Sequence, residues 1–285
     1  MRRNGLLSRL FTILVFVFLY APIFLLVIFS FNATKSNRVW GGFSLRWYLE
    51  LFDDSRILGA LQTTLLLSVS AAILATILGT AAAFGFYAMK RRTRNLCLAV
   101  NNIPLTNADI ITGVSMMLLF VFAINAFNAT IGGTLGIKWR MGFMTLLIAH
   151  VTFDAPYVIL SVLPKLRQLD PNLYEAAQDL GAPGFLAFRK VVLPEILPGV
   201  LNGLMIAFTM SIDDFVISYF TKGPGVNVLA VEIYTMVKKP VTPEINALFT
   251  LMFVFLLILL AIINLRQSRQ ERLERKRRSA LTPRQ

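Results

Sequence analysis

Four carboxylates stand where an apolar chain has least use for them. Asp109, Asp154, Asp213 and Asp214 all fall within or at the rims of long hydrophobic runs, and no Lys or Arg lies well inside those runs to neutralise them. A carboxylate at mid-bilayer costs about 2.5–3.5 kcal/mol on insertion scales, so such groups usually face a pathway or a partner. A cation from outside the chain would answer the deficit. Asp213 and Asp214 are adjacent, hence about 100° apart if the segment is helical. Asp213, with Thr209 four residues before it, is favoured for a pathway, while Ser211 and Ser218 offer Asp214 partners on its own face, so a structural and a substrate role stay open there. Asp109 follows Pro104, Asn101, Asn102 and Asn107, a setting that predicts an irregular, wet segment; substrate contact and helix capping both fit it. His150 and Asp154, spaced i, i+4, can hydrogen-bond on one helix face with Tyr157 a turn further on. One His and one Asp are too few for a metal site. Tyr157, Tyr219 and, more weakly, Tyr234 are aromatic candidates beside a cation path, and no catalytic set is found.

The elements that must position these groups follow from composition. Of 285 residues, 56% are hydrophobic and 15% charged, with a mean hydropathy of +0.67, which excludes an ordinary soluble fold. Apolar runs occupy 10–30, about 60–88, 98–127, 142–163, 196–220 and 246–265, each long enough to cross a 30 Å hydrocarbon core. The prediction is an all-α membrane protein of six spans over 10–265, a short N-terminal segment 1–9 and a basic tail 266–285. The first run follows Arg2 and Arg3 but is too long for a signal peptide and lacks a small-x-small cleavage site, so it is expected to be retained. Cys97 is the lone cysteine, which excludes an internal disulfide. No fixed-period repeat is found.

The net charge of +13 is informative through its placement. Under six spans, nineteen of the 28 Lys and Arg residues lie in the N-terminal segment, the 89–97 and 164–195 loops and the tail; the remaining nine lie in the alternate loops. The positive-inside rule therefore places both termini in the cytoplasm, with the tail near anionic membrane lipid rather than nucleic acid. The 31–58 loop, with Trp40, Trp47 and Tyr48, is expected at the outer interface.

Between the fourth and fifth spans, Asp170 to Pro183 carries a full set of helix signals: Asp170 to cap, Pro171 in the first turn, Gly181 for a left-handed C′ and Pro183 to stop. A second short helix is expected over Phe185 to Val192, ended by Leu193-Pro194. The run Glu175-Ala176-Ala177, three residues, Gly181, nine residues, Val191-Val192-Leu193-Pro194 resembles the E-A-A-x3-G-x9-I-x-L-P motif of ABC-importer permeases, departing from it in Val191. The resemblance extends over nearly the whole chain to the polyamine branch, the spermidine/putrescine permeases of the PotC type. It is carried by Ser30-Phe31-Asn32, Arg46-Trp47-Tyr48, Asp109-Ile110-Ile111-Thr112-Gly113, His150-Val151-Thr152-Phe153, Phe208 to Asp214, and Pro243-Glu244-Ile245-Asn246-Ala247.

The resemblance implies a type I ABC-importer permease fold with cytoplasmic coupling helices between spans four and five, in a bacterial inner or plasma membrane. It also implies a second homologous permease subunit, two ATPase subunits and an extracellular or periplasmic polyamine-binding protein as partners. Tyr174, Glu175, Ala176, Ala177, Asp179, Gly181, Leu193 and Pro194 become the coupling candidates, and Asp109, Asp213, Asp214, Asp154, Tyr157 and Tyr219 the substrate pathway. The family pattern does not require an acid at Asp154, so beside a satisfied polar patch with His150, an adjustment of substrate choice stays open there. No G-x-x-x-x-G-K-[ST] sequence occurs, so no nucleotide cofactor is expected on this chain and ATP hydrolysis belongs to another. Two other readings compete: a secondary cation carrier with Asp109, Asp154 and Asp213 as a proton relay, which shows no inverted repeat and has no use for the cytoplasmic helix, and a membrane scaffold anchored by its tail, in which the intramembrane acids have no role.

Overall fold

Long apolar runs shielded from water satisfy their backbone groups within one segment only as helices. The computed structural model of the protein describes residues 6–35, 39–170, 172–238 and 243–281. In order these form α1 (Leu6–Phe29), α2 (Arg46–Asp53), α3 (Ser55–Ala88), α4 (Arg91–Thr106), α5 (Asp109–Ala129), α6 (Ile131–Leu135) and α7 (Phe143–Gln168). There follow α8 (Asn172–Asp179), α9 (Gly184–Ala187), a π turn (Phe188–Val192), α10 (Leu193–Ile212), α11 (Val216–Thr221), α12 (Leu229–Val237) and α13 (Pro243–Leu281). Among the described residues the extended pairing is a single bridge, Asn32 to Phe43. Six segments are long and apolar enough to cross a membrane: Ser8–Phe29, Ser55–Ala88, Asp109–Ala129, Phe143–Gln168, Gly184–Ile212 and Pro243–Ile262. Arg2, Arg3, Arg38, Pro171, Lys239 and Arg284 lie outside the described residues.

Four boundaries differ from expectation. The third run splits: Asn107 and Ala108 are extended, so Asn101, Asn102 and Pro104 belong to α4 and Asp109 opens α5, where an acid suits the helix dipole. The expected 89–97 loop is correspondingly the start of α4. The fifth run ends at Ile212 instead of reaching 220. Leu193-Pro194 does not stop a helix; Leu193 N–H reaches back to the Phe188 carbonyl, and the chain passes through the π turn into α10. A π turn widens the helix where proline lacks its donor. The sixth helix runs unbroken through residues 266–281.

The chain divides into two compact units, residues 1–59 with 232–285, and residues 60–231. In the first, the stretch after α1 is folded by its own polar groups. Trp47 is buried and its indole Nε1–H donates to the Asn32 carbonyl at 2.6 Å; the Asn32 amide bonds Val39 O and Gly41 N at 2.8 Å each; and Ser30 Oγ pairs with Tyr48 Oη at 2.6 Å. Asp54 accepts from Arg56 N and Arg56 Nη2 at 2.8 and 2.9 Å, and this guanidinium hydrogen bond holds the Asp54 carboxyl below its ordinary range. Helix α13 packs on α1 and α2.

In the second unit α7 is the central element, buried along much of its length, with α10 laid against it. Small residues permit the approach: a Cβ on Gly199 would stand 2.9 Å from Ser161 O and 2.8 Å from Lys165 Cγ, and one on Gly203 3.1 Å from Val158. Without a hydrophobic drive between helices in lipid, such close packing carries the association. Ala72, Ala75, Val158, Val162, Ile196 and Ala207 form the core there. Gly199→Ala is accordingly expected to lower stability by roughly 1–3 kcal/mol, an overpacking cost. Gly85→Ala, whose Cβ meets nothing within 4 Å, should be neutral or mildly stabilising; thermal unfolding of both variants checks the contrast.

Candidate functional site

The interruption between α10 and α11 gathers the acids. Asp213, Asp214 and Phe215 leave the helix, so the expected 100° separation of the two carboxylates on one helix does not hold. The cause is local hydrogen bonding. Asp214 accepts the N–H groups of Ser218 at 2.8 Å and Ile217 at 3.3 Å, and a carboxylate serving the free amides of a new first turn competes with continuation of the old helix. The Thr209 hydroxyl donates to Met205 O at 2.8 Å.

Behind Asp214 sits His150, fully buried on α7. Its Nδ1 pairs with Ser211 Oγ at 2.6 Å and its Nε2 with Ser218 Oγ at 3.0 Å, with Asp214 Oδ2 3.6 Å from Nε2. The expected His150–Asp154 hydrogen bond is therefore replaced by contacts across helices. Ser211 and Ser218 spend their hydroxyls on His150, and Ser218 serves Asp214 through its amide. No sequence signal pairs residues 61 and 68 positions apart.

Asp154 is 0% exposed, and neither of its oxygens has a hydrogen-bond partner. Ser211 is the polar side chain beside it, and Asp214 lies within electrostatic reach. Asp109, exposed at the start of α5, reaches Tyr157 and Asp214 electrostatically. Asp213 is exposed and lies within electrostatic reach of Asp214. Helix α5 is held here because Gly113 packs beside Val216, Ile217 and Phe220 of α11. Tyr157 packs edge-on to Phe153, and Tyr219, 45% exposed, contacts Phe215 and Phe220. The second unit thus brings Asp109, Asp154, Asp213, Asp214, Tyr157 and Tyr219 to one region. Tyr234 belongs to the first unit, with Lys238 Nζ 4.5 Å over its ring. Across α5, the 143–164 stretch of α7 and residues 193–221 there is no Lys or Arg. Fixed anions and aromatic faces at a break in a helix are groups that can attract a cation. Among the described residues no three His, Cys, Asp or Glu side chains converge as metal ligands.

A second region lies at α8. Asp170 Oδ1 accepts Asn172 N–H at 3.0 Å. Gly181 adopts φ +85°, with Gly181 N–H to Gln178 O and Ala182 N–H to Ala177 O closing the helix, the paired bonds of a Schellman end. No residue of α8 is buried; Tyr174, Glu175, Ala176 and Asp179 are exposed, and beyond them Leu180 and Phe185 are 90% and 76% exposed. The inner side of α8 borders a cavity of about 480 Å³ lined by Phe84, Tyr87, Leu166, Leu173, Tyr174 and Val192. Leu193 packs on the core of the unit rather than on α8, with Pro194 exposed next to it.

A family model described as "Binding-protein-dependent transport system inner membrane component" matches residues 75–279. The putrescine transport system permease protein PotI of Escherichia coli K12 is 42% identical over 238 residues, 83% of this chain and 82% of that protein. The spermidine/putrescine transport system permease protein PotC of Haemophilus influenzae is 37% identical over 251 residues, 88% of this chain and 92% of that one. A chain of the crystal structure of a bacterial ABC transporter that imports the polysaccharide alginate superposes with a TM-score of 0.71 at 17% identity, covering 92% of this chain and 94% of that one; the likeness is one of fold.

The buried polar network makes one quantitative prediction. His150→Leu and Ser218→Ala should each destabilise the protein, by roughly 1–3 kcal/mol for the polar groups left unpaired. Combined, they should fall short of additivity by about 0.5–3 kcal/mol, as groups in one network do. Thermal or denaturant unfolding of the four-member cycle measures it.

Proposed function

We propose polyamine import as the task of this chain, which belongs to the family of binding-protein-dependent transport system inner membrane components. It is a multi-pass inner-membrane permease subunit of an ABC importer, with ATP hydrolysis on a partner chain. Membership and the presented α8 displace the secondary-carrier reading, in which that helix had no use. The substrate reading rests on one observation: carboxylates from three elements meet aromatic rings where those elements supply no Lys or Arg. A di- or trication with apolar methylene segments supplies what is missing, and the relatives' own substrates, putrescine and spermidine, are of that kind.

In this account Asp109 and Asp213, the exposed acids, meet the cation first, with Tyr157 and Tyr219 as aromatic walls. Asp214 holds the break in shape through its amide bonds. A second, homologous permease contributes the other half of the pathway, and a periplasmic binding protein delivers the polyamine. Helix α8 presents Tyr174, Glu175, Ala176, Ala177 and Asp179 to one of two ATPase subunits; Gly181 sets its end, while Leu193 and Pro194 tie the motif to α10. Nineteen of 28 basic residues on one side support cytoplasmic termini.

Two outcomes test this. Reconstituted with its partner permease, ATPase and binding protein, the wild-type complex should take up putrescine or spermidine on ATP addition, and Asp213→Asn should cut uptake at least tenfold at normal complex recovery. Undiminished uptake would remove Asp213 from the pathway. For topology, a cysteine at Gln178 in a Cys97→Ser background should resist an impermeant external thiol reagent in intact cells and react after permeabilisation. Labelling from outside would invert the assignment.

A further inference from the structure

Asp154 differs from the other three acids in being enclosed without a countercharge from the surrounding helices. Asp109 and Asp213 are exposed, and Asp214 accepts two amides and lies 3.6 Å from His150. Asp154 is enclosed completely, and both of its oxygens are without a partner. His150, one turn away on α7, cannot turn to it without giving up Ser211 and Ser218, which occupy both ring nitrogens. Helix α7 carries no Lys or Arg from residue 143 to 164, and α5 and residues 193–221 carry none at all. A buried carboxylate in that state lacks a countercharge and has the Ser211 side chain as its polar neighbour, so an ionised form needs further donors from elsewhere.

The position of the group suggests what would supply them. Asp154 stands beside Ser211, the penultimate residue of α10, and next to the break at residues 213–215. It is one turn from Tyr157, whose ring Asp109 also reaches electrostatically. The exposed acids and the enclosed one thus form a sequence from surface to interior, with the interrupted backbone as the element between them. An irregular backbone at membrane depth is tolerated where it lines a cavity.

We propose that Asp154 is an inner ammonium subsite: the carboxylate that receives a primary alkylammonium group of the substrate after Asp109 and Asp213 have met it, taking hydrogen bonds from its N–H donors. The assignment rests on the polyamine reading above and deepens it by giving the interior carboxylate a role distinct from the entry acids. Occupation requires displacement of residues 211–215, so substrate entry and the packing of the α10–α11 break on α7 are coupled.

The test uses the complete transporter in proteoliposomes with saturating loaded binding protein, comparing wild type, Asp154→Asn and Asp154→Leu. Each variant removes the charge; Asn keeps the size and polarity, Leu suits an apolar site. Putrescine uptake is expected to fall at least tenfold in both variants, while complex recovery, thermal stability and ATP hydrolysis stay within twofold of wild type. Uptake within twofold of wild type in Asp154→Asn would overturn the subsite. So would a parallel loss of uptake and complex recovery in both variants, which marks a purely structural carboxyl. A wild-type complex that imports neither putrescine nor spermidine would overturn the substrate reading and, with it, this assignment; those two failures are separated by the wild-type measurement alone.

Discussion

Dehydration of charge is the constraint on which the second unit depends. Within hydrocarbon a polar group must be satisfied by the protein or by what the protein carries, and α5, residues 143–164 of α7 and residues 193–221 offer no Lys or Arg side chain. The chain answers with different devices at different residues. Asp214 is met by the Ile217 and Ser218 amides and stands near His150; Asp109 and Asp213 are left exposed; Asp154 is enclosed beside Ser211. That gradation separates a carboxylate engaged by backbone amides from those that are not.

Satisfying Asp214 has a structural consequence. A carboxylate cannot serve the amides of α11 unless those amides are released from α10, so the break at 213–215 and the anchoring of Asp214 are one event. The break in turn lets Ser211 and Ser218, on either side of it, reach opposite nitrogens of a single imidazole. Because α7 provides that imidazole and also the surface on which Gly199 and Gly203 seat α10, the receptor region and the main helix packing of the unit share one element. From α10 the backbone runs continuously through the π turn to α9, a few residues from the Gly181 end of α8. A covalent helical path therefore joins the acids to the motif by which the family is recognised.

The first unit meets the same requirement with local groups. Trp47 donates to the Asn32 carbonyl, Ser30 pairs with Tyr48, and the Asn32 side chain meets backbone groups of Val39 and Gly41, so the stretch expected as an interfacial loop carries its own polar contacts and a helix, α2. Its aromatic rings stack through Phe31, Phe43 and Tyr48.

Membrane class, the number of spans and the α8 motif were legible in the sequence because each rests on a local quantity: mean hydropathy, the length of apolar runs, and cap residues a few positions apart. Asp170 caps and Gly181 turns left-handed as their types dictate, since a helix end is decided by atoms within one turn of it. The acids were legible as anomalies for the same reason. Their surroundings were not. The run through 98–127 reads as one span, yet Asn107 and Ala108 divide it; 196–220 reads as another, yet Asp214 finds amides ahead of it and ends α10 at Ile212. His150 points in sequence to Asp154, four residues away, and in space to Ser211 and Ser218. Hydrophobic periodicity reports which residues avoid water but not which polar groups meet, because that pairing depends on how α5, α7 and α10 pack. Only the tertiary structure could decide which of the four carboxylates is fully enclosed.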